Sequence, residues 1–366
     1  MQKRTKIVMA VVVAAAIVGA GAAEVLTSTS APPCAGVALG LPPQNNTTAA
    51  VSANERIPTA SAGGEQETRQ GVLTGTAFRG ALSHLASPSD PIQVVAAENF
   101  WGSLISQLGG NLTHVISIIT DPNTDPHEYE VNATDSRDIT NANYVIVNGV
   151  GYDDWAVAEI AADGETNQTV LNVGTLNGVS VTGGIVTGNP HMWYNPVYVN
   201  NTVAAMYADL VHIAPANTTY FQAQYATLNE SLGKLYNQAN EIRHFHAGAV
   251  VASTESIFVY LANYTHLDLV SPPAFMEAIA EGNDPPTQSV VEFQCQLGSG
   301  RVAVLVYNEQ TVTPITTNMK AVAAANNVSI IGVTETIQPP SYSFQEWMGI
   351  QYYNLGQALN ATALGS

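Results

Sequence analysis

Four short segments of this sequence carry side chains that can hold a metal ion. Two of them place a histidine directly after a proline, Asp125-Pro-His-Glu-Tyr-Glu130 and Asn189-Pro-His-Met-Trp-Tyr-Asn-Pro196. Proline restricts the backbone around it, so each histidine lies on a stiffened turn rather than on a free loop. The other two, Ser253-Thr-Glu-Ser-Ile-Phe-Val-Tyr260 and Gly332-Val-Thr-Glu-Thr-Ile337, each carry a glutamate. Two imidazoles and two carboxylates make a four-ligand site that suits zinc or manganese, and iron also fits these donors.

The histidines of the two Pro-His segments differ from the other histidines of the chain. A histidine that stands alone is more often a surface or hydrogen-bonding residue than a metal ligand. Here Pro-His occurs twice, each time followed by an aromatic residue within two positions, which favours ligation. The others stand outside such segments, at His84, His114, His212, His244, His246 and His266. The sequence therefore predicts one metal site rather than several.

The rest of the chain alternates between predicted strands and helices. From Ile92 to Asn148 the hydrophobic pattern predicts strand, helix, strand, helix and strand, which is typical of a parallel sheet with covering helices. Two helices follow at 196–211 and 217–246, and the second would be about 45 Å long, enough to run behind two lobes. The alternation resumes at Ala249 and includes a helix predicted to begin at Glu255 and a strand predicted at Ser329–Val333. It ends in a closing helix that reaches Ala361. The predicted fold class is α/β, with two similar lobes of mostly parallel sheets joined by one long linking helix and the metal site in the cleft between the lobes, where strand ends meet.

The first ninety residues differ from the rest. Basic residues precede an uncharged run from Ile7 to Ala23, which fits a cleaved signal peptide or a retained membrane anchor better than a buried core helix. The next stretch is rich in Ser, Thr, Ala, Gly and Pro without sustained periodicity, which predicts a flexible tether. The predicted organisation is a signal peptide or membrane anchor at 1–26, a tether at 27–90, an N-terminal metal-binding lobe at 91–211, a linking helix at 212–247 and a C-terminal metal-binding lobe at 248–366.

The chain carries few charges for its length of 366 residues. Only 11% of residues are Asp, Glu, Lys or Arg, against roughly 25% in ordinary proteins, and scarce bases leave a net charge of −18. The composition argues against nucleic acid as a partner, because phosphate neutralisation needs clustered lysine and arginine. Recurring Asn-x-Ser/Thr sequons predict a glycosylated exterior surface, although abundant Asn and Thr would also produce them by composition. Among them are those that begin at Asn46, Asn111, Asn132, Asn167, Asn217, Asn229, Asn263, Asn327 and Asn360.

From Ile92 to Leu359 the chain resembles the zinc/manganese-type periplasmic solute-binding family of metal ABC transporters. The segment Asp125–Glu130 is similar to the first ligand loop of that family, and Asn189-Pro-His-Met-Trp193 is similar to the second. Ser253–Tyr260 resembles the third, whose ligand is His or Glu. Segments of the C-terminal lobe are also similar, namely Tyr307-Asn-Glu-Gln310, Val333-Thr-Glu-Thr336 and Gln345-Glu-Trp-Met348.

The resemblance implies four metal ligands, His127, His191, Glu255 and Glu335. Much of the family has aspartate at the fourth position, and Glu309, at another strand end, competes with Glu335 for this role. The predicted function is a monomeric extracytoplasmic binding protein, attached to the membrane by its N-terminal segment. It captures one divalent zinc or manganese ion and delivers it to an ABC-type permease, and it is not an enzyme.

Two other functions fit parts of the sequence. A surface metal-dependent hydrolase could use the same ligands, but a catalytic metal normally keeps one position open for water, which four protein ligands would fill. The sequence also lacks HExxH and GxSxG motifs. A surface adhesin would fit the Ser/Thr-rich tether and the sequons, but it leaves the two Pro-His segments unexplained.

Proton competition gives one further expectation. Both His127 and His191 must be neutral to bind a metal, and an unperturbed histidine has a pKa near 6.5. The apparent metal affinity is therefore predicted to fall by about two decades per pH unit between about pH 4.5 and 6.

Overall fold

Two sheets, each containing four parallel strands, form the framework of the protein. The computed structural model describes residues 76–78, 85–164, 168–179, 181–182, 185–186 and 188–364. The predicted signal peptide or anchor at 1–26 lies outside these ranges, as does most of the predicted tether. Within the described ranges, no helix combines the length and the apolar run that crossing a bilayer requires.

The first lobe is built on a five-stranded sheet. Its strands are β1 Thr76–Phe78, β2 Ile92–Glu98, β3 Thr113–Ile119, β4 Tyr144–Val147 and β5 Thr169–Asn172. Their spatial order is β1-β5-β4-β2-β3, and all of them run parallel except β1, which pairs with β5 in the antiparallel sense. All four residues of β4 are buried, as expected for an inner strand of a sheet that is covered on both faces.

The edge strand β1 lies inside the range that the sequence analysis predicts to be a tether. It contains only Thr-Ala-Phe and pairs with Thr169–Leu171 of β5. A strand of three residues carries too little periodicity to be found from its pattern, so the sheet begins before the boundary that composition suggests.

The first lobe is completed by helices and by a small hairpin. The helices are α1 Asn99–Gly109, α2 Ala133–Asn141, α3 Asp154–Ala162 and α4 Val173–Leu176, and the hairpin strands are β6 Val181–Thr182 and β7 Ile185–Val186. Helix α2 begins at a capping box, in which the Asn132 side chain accepts from the backbone of Asp135 while the Asp135 side chain accepts from the backbone of Asn132.

The second lobe contains a four-stranded sheet in which every strand is parallel. Its strands are β8 Val250–Ser253, β9 Asp268–Leu269, β10 Val304–Asn308 and β11 Ser329–Val333, in the spatial order β11-β10-β8-β9. Its helices are α7 Val259–Thr265, α8 Pro273–Ala280, α9 Thr287–Leu297, α10 Pro314–Ala325 and α11 Phe344–Leu364. The two-lobed α/β fold predicted from the sequence is confirmed.

Two helices connect the lobes, α5 Pro196–Ile213 and α6 Thr218–His246. Helix α6 has 29 residues, which at 1.5 Å per residue makes it about 44 Å long. It packs on α1 and α5 of the first half of the chain and on α7 and α11 of the second. Its buried residues recur at helical spacing, including Phe221, Leu228, Leu232 and Leu235. The linking helix therefore acts as a common spine for the two lobes.

Aromatic side chains fill the core where the lobes meet. Phe100 of α1 stacks on Trp193 with 4.1 Å between ring centroids, and its ring also lies 6.4 Å from that of Trp347 in α11. All three are buried. Since α1 belongs to the first lobe and α11 to the second, this cluster packs both lobes into one apolar core.

Candidate metal site

The four predicted ligands come from both lobes and lie just outside the regular elements. His127 lies in the connection between β3 and α2, and His191 precedes a one-turn helix, Met192–Tyr194, that leads into α5. Glu255 follows the end of β8, and Glu335 follows the end of β11. The two glutamates therefore lie at the carboxyl edge of one parallel sheet, where α/β proteins bind their ligands.

Three of these side chains converge at the cleft. One ligand atom each from His191, Glu255 and Glu335 lies within 4.8 Å of the other two. His191 Nε2 is 3.6 Å from Glu255 Oε1, and this contact joins the first lobe to the second. Their exposed fractions are 2%, 0% and 9%. Ligand atoms that lie about 2 Å from one ion at tetrahedral angles are about 3.3 Å from one another. The three ligand atoms would therefore have to move only slightly closer together to bind an ion.

His127 lies beside this group rather than within it. Its side chain is exposed, and its ring lies 5.0 Å from the ring of Tyr152, which in turn lies 6.1 Å from the ring of His191. The structure thus brings three of the four predicted ligands together and places the fourth on the solvent side of Tyr152. His127 would have to move inwards to complete a four-ligand site.

The two Pro-His segments adopt the same local turn. The Asp125 side chain accepts a hydrogen bond from the backbone N–H of His127 at 2.9 Å, and the Asn189 side chain accepts one from His191 N–H at 2.9 Å. In both cases the side chain of the residue before the proline accepts a hydrogen bond from the backbone N–H of the residue after it, which forms a tight turn. The turn fixes the backbone from which each imidazole projects.

The ring nitrogens of both histidines are oriented for metal binding. His127 Nδ1 lies 2.9 Å from the Gly151 carbonyl, and His191 Nδ1 lies 2.7 Å from Asn189 Oδ1. Asn189 Nδ2 donates to the Ser256 carbonyl at 2.6 Å, which assigns its oxygen to the histidine. Because a carbonyl oxygen only accepts, Nδ1 carries the proton in each ring and Nε2 keeps the lone pair that a metal needs.

The two carboxylates are bridged by one amide. Asn308 Nδ2 donates to Glu255 Oε1 at 2.8 Å and to Glu335 Oε1 at 2.7 Å. Tyr152 donates to Glu335 Oε2 at 2.8 Å from the other lobe. Glu255 Oε2 is buried and accepts from no donor in the described part of the chain. A buried carboxylate oxygen without a partner is costly, and a cation would satisfy it.

Burial shifts the pKa values of the ionisable groups at the site. It raises the pKa of Glu255, and the neighbouring charge of Glu335 raises it further. Burial also raises the pKa of Glu335, against the hydrogen bonds from Tyr152 and Asn308 that lower it. Burial lowers the pKa of His191 to about 3, with the charge of His127 acting in the same direction. No lysine or arginine of the described residues forms an ion pair with either glutamate, so a divalent cation would supply the missing positive charge.

The alternative fourth ligand, Glu309, lies elsewhere. It is exposed, and its carboxylate packs over the backbone of Gly332 in β11. Glu335 is the buried member of the converging group. The geometry favours Glu335 for the fourth position.

Sequence reasoning missed two side chains that hold the ligands in place. Tyr152 follows β4 and looks like any other core aromatic residue in the sequence, so no signal distinguishes it. Asn308 is the last residue of the apolar strand β10, within the segment Tyr307–Gln310 that carries part of the family resemblance. An asparagine at the end of such an apolar run was the available signal.

Two α/β lobes on a long linking helix, with imidazole and carboxylate ligands converging in the cleft, define a solute-binding protein of the metal-binding class. The chain belongs to the family described as zinc-uptake complex component A, periplasmic (ZnuA), whose family model matches residues 94–358. It is therefore a metal-binding component of metal transport systems, of the extracytoplasmic solute-binding type.

The fold is similar to those of solved proteins with different described activities. The periplasmic zinc-binding protein TroA from Treponema pallidum matches with a TM-score of 0.59 and 16% identity, covering 74% of this chain and 99% of that one. A mutant of the laminin-binding adhesin Lmb from Streptococcus agalactiae matches with a TM-score of 0.61 and 16% identity, covering 73% of this chain and 99% of that one. At such identities the likeness shows the fold alone.

A curated relative matches over a shorter stretch. It is a Treponema pallidum (strain Nichols) protein described as a candidate metal-binding protein, and it is 30% identical over 89 residues. These residues are 23% of this chain and 28% of the relative, so the match spans less than a third of that protein.

Proposed function

We propose that this protein captures one divalent transition metal ion through His127, His191, Glu255 and Glu335 and delivers it to an ABC-type permease. The observation that carries the proposal is the convergence of three buried ligand groups from both lobes. Two details of the group support a cation as the ligand. The Nε2 lone pair of His191 faces Glu255, and Glu255 Oε2 has no donor among the described residues.

Entry from the His127 side accounts for the exposed position of that residue. His127, Gly151 and Asn189 line a cavity of about 880 Å³ that is also lined by residues of the second lobe, among them Ser256 and Arg301. An ion entering from this side would meet the exposed His127 before the three buried ligands. Closure of the His127 turn over the ion would complete the four-ligand set and shield it from water.

The donor set selects a group of metals rather than a single one. Two imidazoles and two carboxylates suit zinc and manganese, and ferrous iron is compatible with the same donors. Intrinsic affinities rise from manganese through iron to zinc. Purified protein is therefore expected to bind zinc more tightly than manganese, whichever ion it carries in the cell.

The remaining parts of the proposal concern delivery. The protein acts outside the cytoplasm as a monomer, held at the membrane by its N-terminal segment, and its sequons carry glycans. A gene for an ABC permease or ATPase next to the gene for this chain would support delivery to a transporter.

The two alternative functions gain no support from the site. A hydrolase would need one open position on the metal for water, and four protein ligands would leave none. An adhesin is compatible with the fold, because a laminin-binding protein shares it. The buried ligand cluster, however, has no role in contacting a macromolecule, since its side chains are enclosed in the cleft.

Binding stoichiometry tests the proposal. Full-length protein purified without a histidine tag is expected to bind one zinc ion per chain in equilibrium dialysis, because the described residues contain one converging group of ligands. Manganese should bind at the same site and be displaced by zinc, while magnesium should not compete, since it prefers an all-oxygen octahedral set. Two tight sites, or none, would contradict the proposal.

A further inference from the structure

Two carboxyl groups are buried side by side in the first lobe, outside the set of metal ligands. Glu98 is the last residue of β2, and Asp153 directly precedes α3. Both are fully buried, with exposed fractions of 0%. Neither binds the proposed ion, and a buried carboxyl pair is costly unless its charges are neutralised or well bonded.

The surroundings of Glu98 require a proton on this pair. Within the described part of the chain, no other residue donates an N–H or O–H hydrogen bond to either Glu98 oxygen. The carboxylate of Asp153 lies beside Glu98 and can only accept unless one of the two groups is protonated. Burial raises the pKa of Glu98 well above its ordinary value, and the charge of Asp153 raises it further. Burial also raises the pKa of Asp153, to about 6, against the backbone N–H groups of Gly149 and Asn148 that lower it. Because these two N–H groups bond both Asp153 oxygens, we assign the proton of the pair to Glu98.

Asp153 uses its two oxygens to hold a strained turn. Oδ2 accepts from the backbone N–H of Asn148 at 2.6 Å, and Oδ1 accepts from that of Gly149 at 2.7 Å. The turn has positive φ angles at three successive residues, 73° at Gly149, 60° at Val150 and 77° at Gly151. A β-branched residue such as Val150 rarely adopts this conformation, so the turn needs bonds from outside to keep its shape.

This turn contacts two of the proposed metal ligands directly and the residue before a third. The Gly151 carbonyl accepts from His127 Nδ1 at 2.9 Å, and the Tyr152 hydroxyl donates to Glu335 Oε2 at 2.8 Å. The Asn148 amide donates to the carbonyl of Pro190, the residue before His191, at 3.0 Å. A change in the shape of the turn would therefore move several ligands at once.

We infer that Glu98 and Asp153 form a positioning pair for the metal site, in which protonated Glu98 donates to the Asp153 carboxylate and Asp153 holds the 148–153 turn that aims the ligands. This inference rests on the proposed metal-binding function. The turn needs two acceptor atoms from the side chain of residue 153, one for each backbone N–H. A carboxylate supplies two acceptor oxygens, whereas an asparagine amide supplies only one. Residue 98 needs only a donor, which glutamine supplies as well as glutamic acid does.

Three variants of the full-length protein separate this role from simple packing. In Asp153→Asn, the side-chain NH₂ group points at one of the two backbone N–H groups, and that hydrogen bond is lost. The variant is expected to weaken Co²⁺ binding by about 10- to 100-fold, as loss of groups that orient metal ligands usually does. Glu98→Ala should have a similar effect. Glu98→Gln retains a donor towards Asp153 and should keep the Co²⁺ affinity within about threefold of the unmodified protein.

Asp209→Asn is the matched control. Asp209 is also a buried aspartate of the same half of the chain; it lies in α5 and accepts from the Tyr144 hydroxyl at 2.7 Å. This change should lower the unfolding temperature and leave Co²⁺ binding unaltered.

The readout is titration with Co²⁺ followed by its visible absorption, with the unfolding temperature measured in parallel. Asp153→Asn should weaken binding and change the absorption spectrum of bound Co²⁺, which reports the ligand geometry. Normal affinity and spectrum in Asp153→Asn, or loss of binding in folded Glu98→Gln, would overturn the inference. If Asp153→Asn does not fold, the comparison of Glu98→Gln with Glu98→Ala decides. Failure of the unmodified protein to bind Co²⁺ would instead contradict the proposed function itself.

Discussion

His191→Ala is expected to weaken zinc binding by at least about 100-fold, which is about 2.8 kcal/mol. The change removes the buried nitrogen ligand, so the ion keeps only the carboxylates of Glu255 and Glu335 and the imidazole of His127. Competition with a chromophoric zinc chelator at constant pH would measure the affinity. His114→Ala is the control, because His114 is an exposed residue of β3 outside the site. Equal zinc affinity of the two variants would remove His191 from the ligand set.

A matched pair of glutamates decides the fourth ligand in the same assay. Glu335→Gln should weaken zinc binding more than about tenfold, or about 1.4 kcal/mol, because it removes a charged ligand oxygen from the buried group. Glu309→Gln makes the same chemical change on an exposed side chain that packs over Gly332 and should leave the affinity unchanged. The reverse order of effects would mean that the fourth ligand is Glu309.

The second large effect is the release of protons from the carboxylates when the ion binds. In the empty site, burial and mutual repulsion raise the pKa of Glu255, and burial raises that of Glu335, so at neutral pH the pair retains a proton. A group with a raised pKa must lose this proton to bind a cation, so the affinity should rise with pH through the neutral range. We expect about one proton to be released per zinc ion at pH 7.

His191 should contribute no proton to this release. Burial lowers its pKa to about 3, so it is already neutral throughout the range in which the carboxylates titrate. The expectation that both histidines compete with protons between about pH 4.5 and 6 is therefore wrong for His191. Desolvation of the imidazole in the cleft is the reason, and it cannot be read from the Pro-His segment itself.

Titration calorimetry of zinc at pH 6, 7 and 8 measures the release, using buffers with different ionisation enthalpies. The observed heat should depend on the buffer, and the affinity should increase between pH 6 and 7. A heat that is independent of the buffer, together with a flat affinity, would show that the glutamates are ionised in the empty site.

Most of the secondary structure could be predicted because its signals are local. The strand Ser329–Val333 has the predicted bounds, and the linking helix begins at Thr218, one residue from its predicted start. The segment from Glu255 differs, because a helix was predicted to begin at this residue. The structure places Glu255 in extended backbone, with φ −155° and ψ 179°, and a one-turn helix follows it. Extended backbone at this position lets the side chain reach the cleft, which periodicity cannot show.

The candidate ligands could also be identified from the sequence, whereas the groups that orient them could not. The two Pro-His segments and the two glutamates are visible as short patterns of donors. Tyr152 and Glu335, by contrast, are 183 positions apart in the sequence and meet only because the lobes face each other. Glu98 and Asp153 lie in different elements of the first lobe, and their pairing depends on how β2 packs against the turn after β4. Such contacts follow from the tertiary fold rather than from any local spacing.

The most direct test of the metal site is a crystal structure of zinc-loaded protein with anomalous diffraction recorded at the zinc edge. We expect one strong anomalous peak in the cleft, from an ion bonded to Nε2 of both Pro-His histidines and to carboxylate oxygens of Glu255 and Glu335. The His127 turn should be drawn in over the ion. An ion bound elsewhere, or a cleft that stays empty at saturating zinc, would contradict the proposed function.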